Sequence, residues 1–190
     1  MSDHPPPNLL VLTGGPGSGK TTLLAEMARR GFAVSQEAGR GVIRQQQAIG
    51  GDAVPWADRS RYAELMLSWE LRSHGQALAA PGLWLFDRGV PDIVGYLRLS
   101  GLPVPAPLMR AVATVRYHPT VFVTPHWPEI YVRDAERRQS PEEAEATCRM
   151  MIATYREFGY RTVVLPQAGV EARADFLAAH VGAARTRPAG

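Results

Sequence analysis

A chain of 190 residues, 45% hydrophobic and 21% charged, has the makeup of one globular domain long enough to bury a core. No apolar run approaches the ~20 residues that span a bilayer, and a single cysteine, Cys148, excludes an internal disulfide. A formal net charge of +3, dispersed along the chain, argues against nucleic acid as a partner, and five scattered histidines show no metal-ligand spacing. The start of the chain is polar and proline-rich, unlike a secretory signal, which predicts a cytoplasmic protein.

The pattern along the chain predicts one α/β domain over residues 9–184, with disordered tails at 1–8 and 185–190. Five short apolar runs read as buried parallel strands: Leu9–Thr13, Phe32–Ser35, Leu83–Asp87, Thr120–Thr124 and Thr162–Leu165. Helical patterns alternate with them, which implies right-handed βαβ units and a doubly wound sheet. Gly50 to Pro55 reads as a loop. Apolar residues at Tyr62, Leu65, Met66, Trp69 and Ala77 then predict a helix over 57–80. Residues 125–140 read as an arginine-rich lid. Ser140-Pro141-Glu142-Glu143 is a helix start, with a serine cap, proline in the first turn and Glu143 closing a capping box. That helix should bury Ala144, Cys148, Met151, Ile152, Tyr155 and Phe158, and Gly159 should stop it. A last helix is expected over about 171–184. No repeat and no second domain is evident.

The most specific signal is Gly14-Gly15-Pro16-Gly17-Ser18-Gly19-Lys20-Thr21, which fits G-x-x-x-x-G-K-T between a strand and a helix. Of 21 basic residues, 20 are arginine, and Lys20 is the only lysine. A compact ammonium fits inside such a loop where a planar guanidinium does not. The loop Gly15-Pro16-Gly17-Ser18-Gly19, through the backbone N–H groups of its glycines and serine, and the helix start at Lys20, Thr21 and Thr22 would surround a triphosphate. Lys20 would reach its β- and γ-phosphates, and the Thr21 hydroxyl would bind Mg²⁺.

Three further sites follow in chain order. Glu37 and Arg40 lie one helical turn apart after the second strand, so they share a face and can hold an acceptor's hydroxyls and charge; a plain surface ion pair is the alternative. Asp87 closes the third strand, where open α/β sheets bind ligands. It can hold Mg²⁺ through water or accept a proton, with Arg88 beside it for an anionic group; capping the next helix is the alternative. Asp92 is read as a helix cap. Arg133, Arg137 and Arg138 in the lid suit the charge that develops on a transferring phosphoryl group. Trp56, Trp127 and Tyr131 are read as packing residues, with stacking on a ring as the alternative.

These sites in this order resemble those of the P-loop nucleoside and nucleotide kinases. Asp87-Arg88 is similar to the Asp-Arg pair of thymidylate-kinase-type enzymes. Glu37-Ala38-Gly39-Arg40 resembles the Glu-x-x-Arg segment of the ribosylnicotinamide-kinase domain of bacterial NAD-metabolism regulators, and of small bacterial predicted ATPases related to it. The resemblance spans Leu9 to about Val181. It implies a three-layer fold with sheet order 2-3-1-4-5, a lid after the fourth strand, and contact with adenine from the loop holding Gln167 and Val170. Ribosylnicotinamide kinases carry Asp-x-Asp at the third strand, where this chain has Asp87-Arg88-Gly89, so nicotinamide riboside is not implied as the acceptor.

The expected function is a Mg-ATP-dependent kinase acting on a small molecule with a hydroxyl or phosphate, a nucleoside or nucleotide among the candidates. The oligomeric state stays open. The runner-up is a regulatory ATPase or switch acting through a protein partner, with ATP hydrolysis as its activity. A guanine-reading Asn-Lys-x-Asp needs a second lysine, and an activating Asp-Glu is missing at the third strand. A polynucleotide kinase, the third reading, would need a basic stripe interleaved with aromatics.

Overall fold

The computed structural model describes residues 8–130 and 140–185. Its centre is a five-stranded parallel sheet: β1 (Leu9–Gly14), β2 (Ala33–Val34), β3 (Trp84–Asp87), β4 (Thr120–Thr124) and β5 (Arg161–Val164). The strand order is β2-β3-β1-β4-β5, as the resemblance implies. Strand β1 is central, and its side chains alternate between two layers. Leu9 and Val11 pack with Phe86 and Val121 on one face, while Leu10 and Leu12 pack with Leu85 and Phe122 on the other. That two-sided burial is why β1 reads as an unbroken apolar run. Edge strand β2 is shorter than expected. Its flanks still pair, since Ala33 N–H donates to the Leu83 carbonyl and Ser35 N–H to the Leu85 carbonyl.

Among the described residues seven α-helices cover the sheet: α1 (Lys20–Arg29), α2 (Ala38–Ile49), α3 (Arg59–Ala79), α4 (Val90–Leu99), α5 (Ala106–Thr114), α6 (Pro141–Glu157) and α7 (Val170–Arg185). Helices α1 and α7 pack on one face, and residues of α2 to α6 fill the other. None of the described helices is long and apolar enough to cross a membrane. Helix α6 begins as its sequence predicts. Ser140 Oγ accepts from Glu143 N–H at 3.2 Å, and Glu143 Oε2 accepts from Ser140 N–H at 2.7 Å. Asp58 caps α3 by accepting from Arg61 N–H at 2.9 Å. Helices α4 and α5 are not evident in the sequence. Helix α4 is buried almost all round, from Val90 through Gly95 and again at Leu97, so it shows no amphipathic period. Helix α5 is only nine residues long and opens among prolines.

The register brings the chemistry to one end of the sheet. Leu12 pairs with Asp87 on one side and Phe122 on the other, and Gly14 pairs with Thr124. The ends of β1, β3 and β4 therefore lie side by side, with the glycine-rich loop leaving between them.

Candidate active site

The phosphate-type loop is wedged into place. A Cβ at Gly14 would sit 2.3 Å from Thr124 Oγ1, and one at Gly15 would sit 2.4 Å from the Ala144 carbonyl oxygen. Only glycine lets β4 and α6 approach so closely. Ser18 Oγ donates to the Gly15 carbonyl at 2.8 Å and lies 2.6 Å from Thr124 Oγ1. Lys20 is buried, and its amine donates to the Gly15 carbonyl at 2.7 Å and the Gly14 carbonyl at 3.3 Å. Burial, and secondarily the Arg88 charge, bring its pKa down to about 8. Thr21 and Thr22 stand exposed at the start of α1 beside the cleft.

Asp87 is buried at the end of β3. Its N–H donates to Ser35 Oγ at 3.0 Å, while its carboxylate Oδ1 has no hydrogen-bond partner. Burial, reinforced by Glu37, pushes its carboxyl up to about 6 despite Lys20 and Arg88 nearby. It does not cap α4, whose N-cap is Gly89.

Arg88 adopts φ 73°, the left-handed region that arginine rarely enters. This turns its guanidinium into the cleft. Nη1 lies 3.1 Å from Asp92 Oδ1, and Nε lies 3.4 Å from Glu37 Oε1. Glu37 also meets Arg40 at 2.9 Å. Burial would raise the Glu37 carboxyl, but Arg88, Lys20 and Arg40 hold it below its ordinary range. Glu37 and Arg40 thus belong to a charged network that reaches Arg88, beyond a plain surface pair.

Asp92 caps α4, as read from sequence, and does more. Oδ2 accepts from Gly89 N–H at 3.0 Å and from the Tyr155 hydroxyl at 2.6 Å, while Oδ1 accepts from Thr13 Oγ1 at 2.5 Å and from Arg88 Nη1. One carboxylate ties β1, the β3–α4 turn and α6 together.

Lys20, Thr21, Glu37, Arg40, Arg88 and Asp92 line one cleft of about 1250 Å³. One half runs from the loop toward Trp127, Ala168, Val170 and Arg173; the other runs toward Glu37, Arg40, Tyr62, Glu70 and Arg88. Gln167 lies beside the first half and donates to the His126 carbonyl at 2.9 Å. Trp56 corrects its expected packing role: it is 63% exposed and lines the cleft. Trp127 packs beneath the Arg173 guanidinium, 5.6 Å from ring centre to Cζ. Arg133, Arg137, Arg138 and Tyr131 lie outside the described residues.

Two site residues escaped the sequence reading. Arg173 is buried, donates to the Ser18 carbonyl at 3.3 Å and leaves Nε without a partner. Nothing in its local sequence marks it, because its neighbour is 155 positions away. Glu70 is buried on α3. It did carry a signal, being an acidic residue four positions after Met66 on the apolar stripe.

A family model described as an AAA domain (AAA_28) matches residues 9–173. The chain belongs to that family. No curated protein matches this AAA-domain sequence. Solved structures share the AAA-domain chain's fold. A NadR protein in complex with NR is 20% identical with a TM-score of 0.72, over 95% of this chain and 50% of that chain. The present chain therefore spans half the length of that relative. Deoxyadenosine kinase from M. mycoides is 14% identical with a TM-score of 0.63, over 92% of this chain and 98% of that one. Shikimate kinase from Acinetobacter baumannii, in complex with shikimate, is 16% identical with a TM-score of 0.54, over 94% of each chain. The AAA-domain fold here is thus the P-loop kinase type.

Lys20 offers a direct check of nucleotide binding, since it carries the only side-chain amine in the chain. An amine reagent should modify Lys20 and no other side chain, and Mg-ATP should suppress that adduct several-fold by mass spectrometry. Labelling indifferent to ATP would remove the loop from the nucleotide site. Lys20→Ala should weaken triphosphate binding by roughly 1.5–3 kcal/mol, the size of a charge-assisted hydrogen bond.

Proposed function

We propose that this protein is a Mg-ATP-dependent kinase that transfers the γ-phosphoryl group to a small-molecule acceptor, with nucleosides and nucleotides the first candidates. The observation that carries this reading is a two-sided cleft whose halves meet between Lys20 and Arg88. The phosphate loop opens on one half, and the Glu37–Arg40–Arg88 network lines the other. A hydrolase needs a place for water; a separate lined half suits a second substrate.

In this reading the loop from Gly15 to Gly19 surrounds the phosphates, Lys20 meets the β- and γ-groups, and Gln167 and Val170 border the adenine. Arg133, Arg137 and Arg138 would meet the transferring group's charge. The donors fit Mg²⁺: the Thr21 hydroxyl is a hard oxygen on the cleft, and the unpartnered Asp87 Oδ1 is another, buried next to Arg88 of its lining. Among the described residues no three His, Cys, Asp or Glu side chains group as ligands, which suits an ion held mainly by phosphates and water. When bound, Mg²⁺ would neutralise phosphate charge. Asp87 also stands where an acceptor hydroxyl would release its proton, and Arg88 points its charge at the same place. Glu37 and Arg40 orient the acceptor.

The test is ATP consumption by purified protein across nucleosides, nucleotides, sugars and vitamins, with detection of a phosphorylated product. The true acceptor should accelerate turnover well above slow basal hydrolysis. Glu37→Ala and Arg40→Ala should each raise its KM roughly 10-fold or more, as loss of one charge-assisted contact implies, with ATP affinity unchanged. If no metabolite stimulates turnover but a bound protein does, the regulatory ATPase reading replaces the kinase.

A further inference from the structure

Glu70 plays no part in the chemistry above, yet it lines the acceptor half of the cleft. It is 2% exposed, and its Oε2 has no hydrogen-bond partner. A buried polar atom left unpaired is costly and calls for a reason. Its neighbours supply none. The charges around it are mostly carboxylates: Asp92, Asp87 and Glu37. Arg88, the cation within reach, is already shared by Glu37 and Asp92. Burial, together with those three carboxylates, pushes Glu70 well above the ordinary carboxylate range. A carboxylic acid of this kind presents an O–H donor and a C=O acceptor side by side.

One wall beside it is apolar and aromatic. Tyr62, Met66 and Glu70 follow one another at four-residue intervals along α3, forming one stripe on the cleft. The Tyr62 and Tyr96 rings meet edge to face with centroids 5.4 Å apart, and Ile93 of α4 lines the same half. Helix α2 closes against this wall because Gly39 lacks a side chain. A Cβ there would lie 2.5 Å from the Tyr62 hydroxyl.

We infer that this half of the cleft takes a planar ring whose edge carries a hydrogen-bond donor beside an acceptor, as nucleobases and carboxamides do, and that Glu70 reads that edge. The inference rests on the reading of this half as the acceptor site. A donor–acceptor edge completes both hydrogen bonds of the carboxyl group and relieves its unpaired burial. The aromatic wall supplies a surface for the ring face.

The experiment is calorimetric titration of the protein saturated with a non-hydrolysable ATP analogue, so that the nucleotide half is occupied and no turnover is needed. Adenosine, cytidine, inosine and uridine are the ring probes; ribose and shikimate are the controls without such an edge. At least one ring probe should bind ~10-fold or more tightly than either control. Glu70→Gln, whose amide keeps a donor and an acceptor, should hold that affinity within about threefold. Glu70→Leu should lose at least ~10-fold while melting no lower than wild type, because it removes an unpaired polar atom and leaves packing in place. Three results would overturn the inference. Either no ring probe binds, or the leucine variant binds as wild type does, or the glutamine variant loses as much as leucine, meaning that Glu70 meets its ligand as an ion. Rings that bind by this rule yet are never phosphorylated would sink the kinase reading and leave this one standing.

Discussion

Asp87→Asn should leave the fold intact and slow phosphoryl transfer at least ~100-fold, the range expected when a general base or its equivalent is removed. Asparagine keeps the shape. Its N–H bond to Ser35 Oγ and its pairing with Leu12 belong to the backbone and survive. What goes is the charge, and with it both roles proposed for this carboxylate, holding Mg²⁺ and taking a proton. The same change carries a stability signature in protein free of metal and nucleotide. The folded-state pKa of about 6 lies above the ordinary 3.8, so the protonated carboxyl favours folding below about pH 4. That contribution is lost as pH rises through about 6. In EDTA, the asparagine variant should therefore melt higher than wild type at pH 8, and the gap should close toward pH 4. Near-normal turnover in the variant would leave Asp87 without a chemical role.

Asp92→Asn should unfold the protein more readily than any other single conservative change in the cleft. Four donors converge on the two carboxylate oxygens: Thr13 Oγ1 and Arg88 Nη1 on one, Gly89 N–H and the Tyr155 hydroxyl on the other. An amide nitrogen in place of either oxygen turns a donor toward donors. Two buried partners then lack an acceptor, at about 1–3 kcal/mol each before the hydroxyls rotate to compensate. A net loss of about 2–4 kcal/mol corresponds to a fall in Tm of roughly 5–15 °C for a chain of this size. Activity should fall further, because Arg88 loses the charge that holds its guanidinium in the cleft. Tyr155→Phe removes a single donor and should cost less, about 1 kcal/mol. An Asp92→Asn protein melting within a degree or two of wild type would show that the four contacts are not coupled as the geometry implies.

What the sequence makes legible is local. The glycine-rich loop shows because its chemistry sits in eight consecutive residues. The start of α6 shows because a capping box spans four. Strands β1 and β4 show because burial on both faces demands continuous apolar runs, and β4 falls on Thr120–Thr124 as expected. The contacts that assemble the site are distant. Thr13 meets Asp92 across 79 positions, Arg88 meets Glu37 across 51, and Arg173 meets Ser18 across 155. No local pattern encodes such pairs, so Asp92 reads as a cap when it is also a hub, and Arg173 does not read at all. Helix α4 hides for a related reason. Buried between α3, α5 and α6, it has no polar face to give it a period.

The backbone at Arg88 sets two kinds of selection against each other. Glycine or asparagine would occupy φ 73° with little strain, whereas arginine there costs on the order of 1 kcal/mol. A library of variants screened only for survival on heating should drift toward glycine or asparagine at this position. Glu37 should lose its charge alongside, and Asp92 should remain on its three other donors. The same library screened for turnover should keep arginine and accept a lower melting point. Sequencing the two pools at one codon would measure how much stability this fold gives up to point a single positive charge.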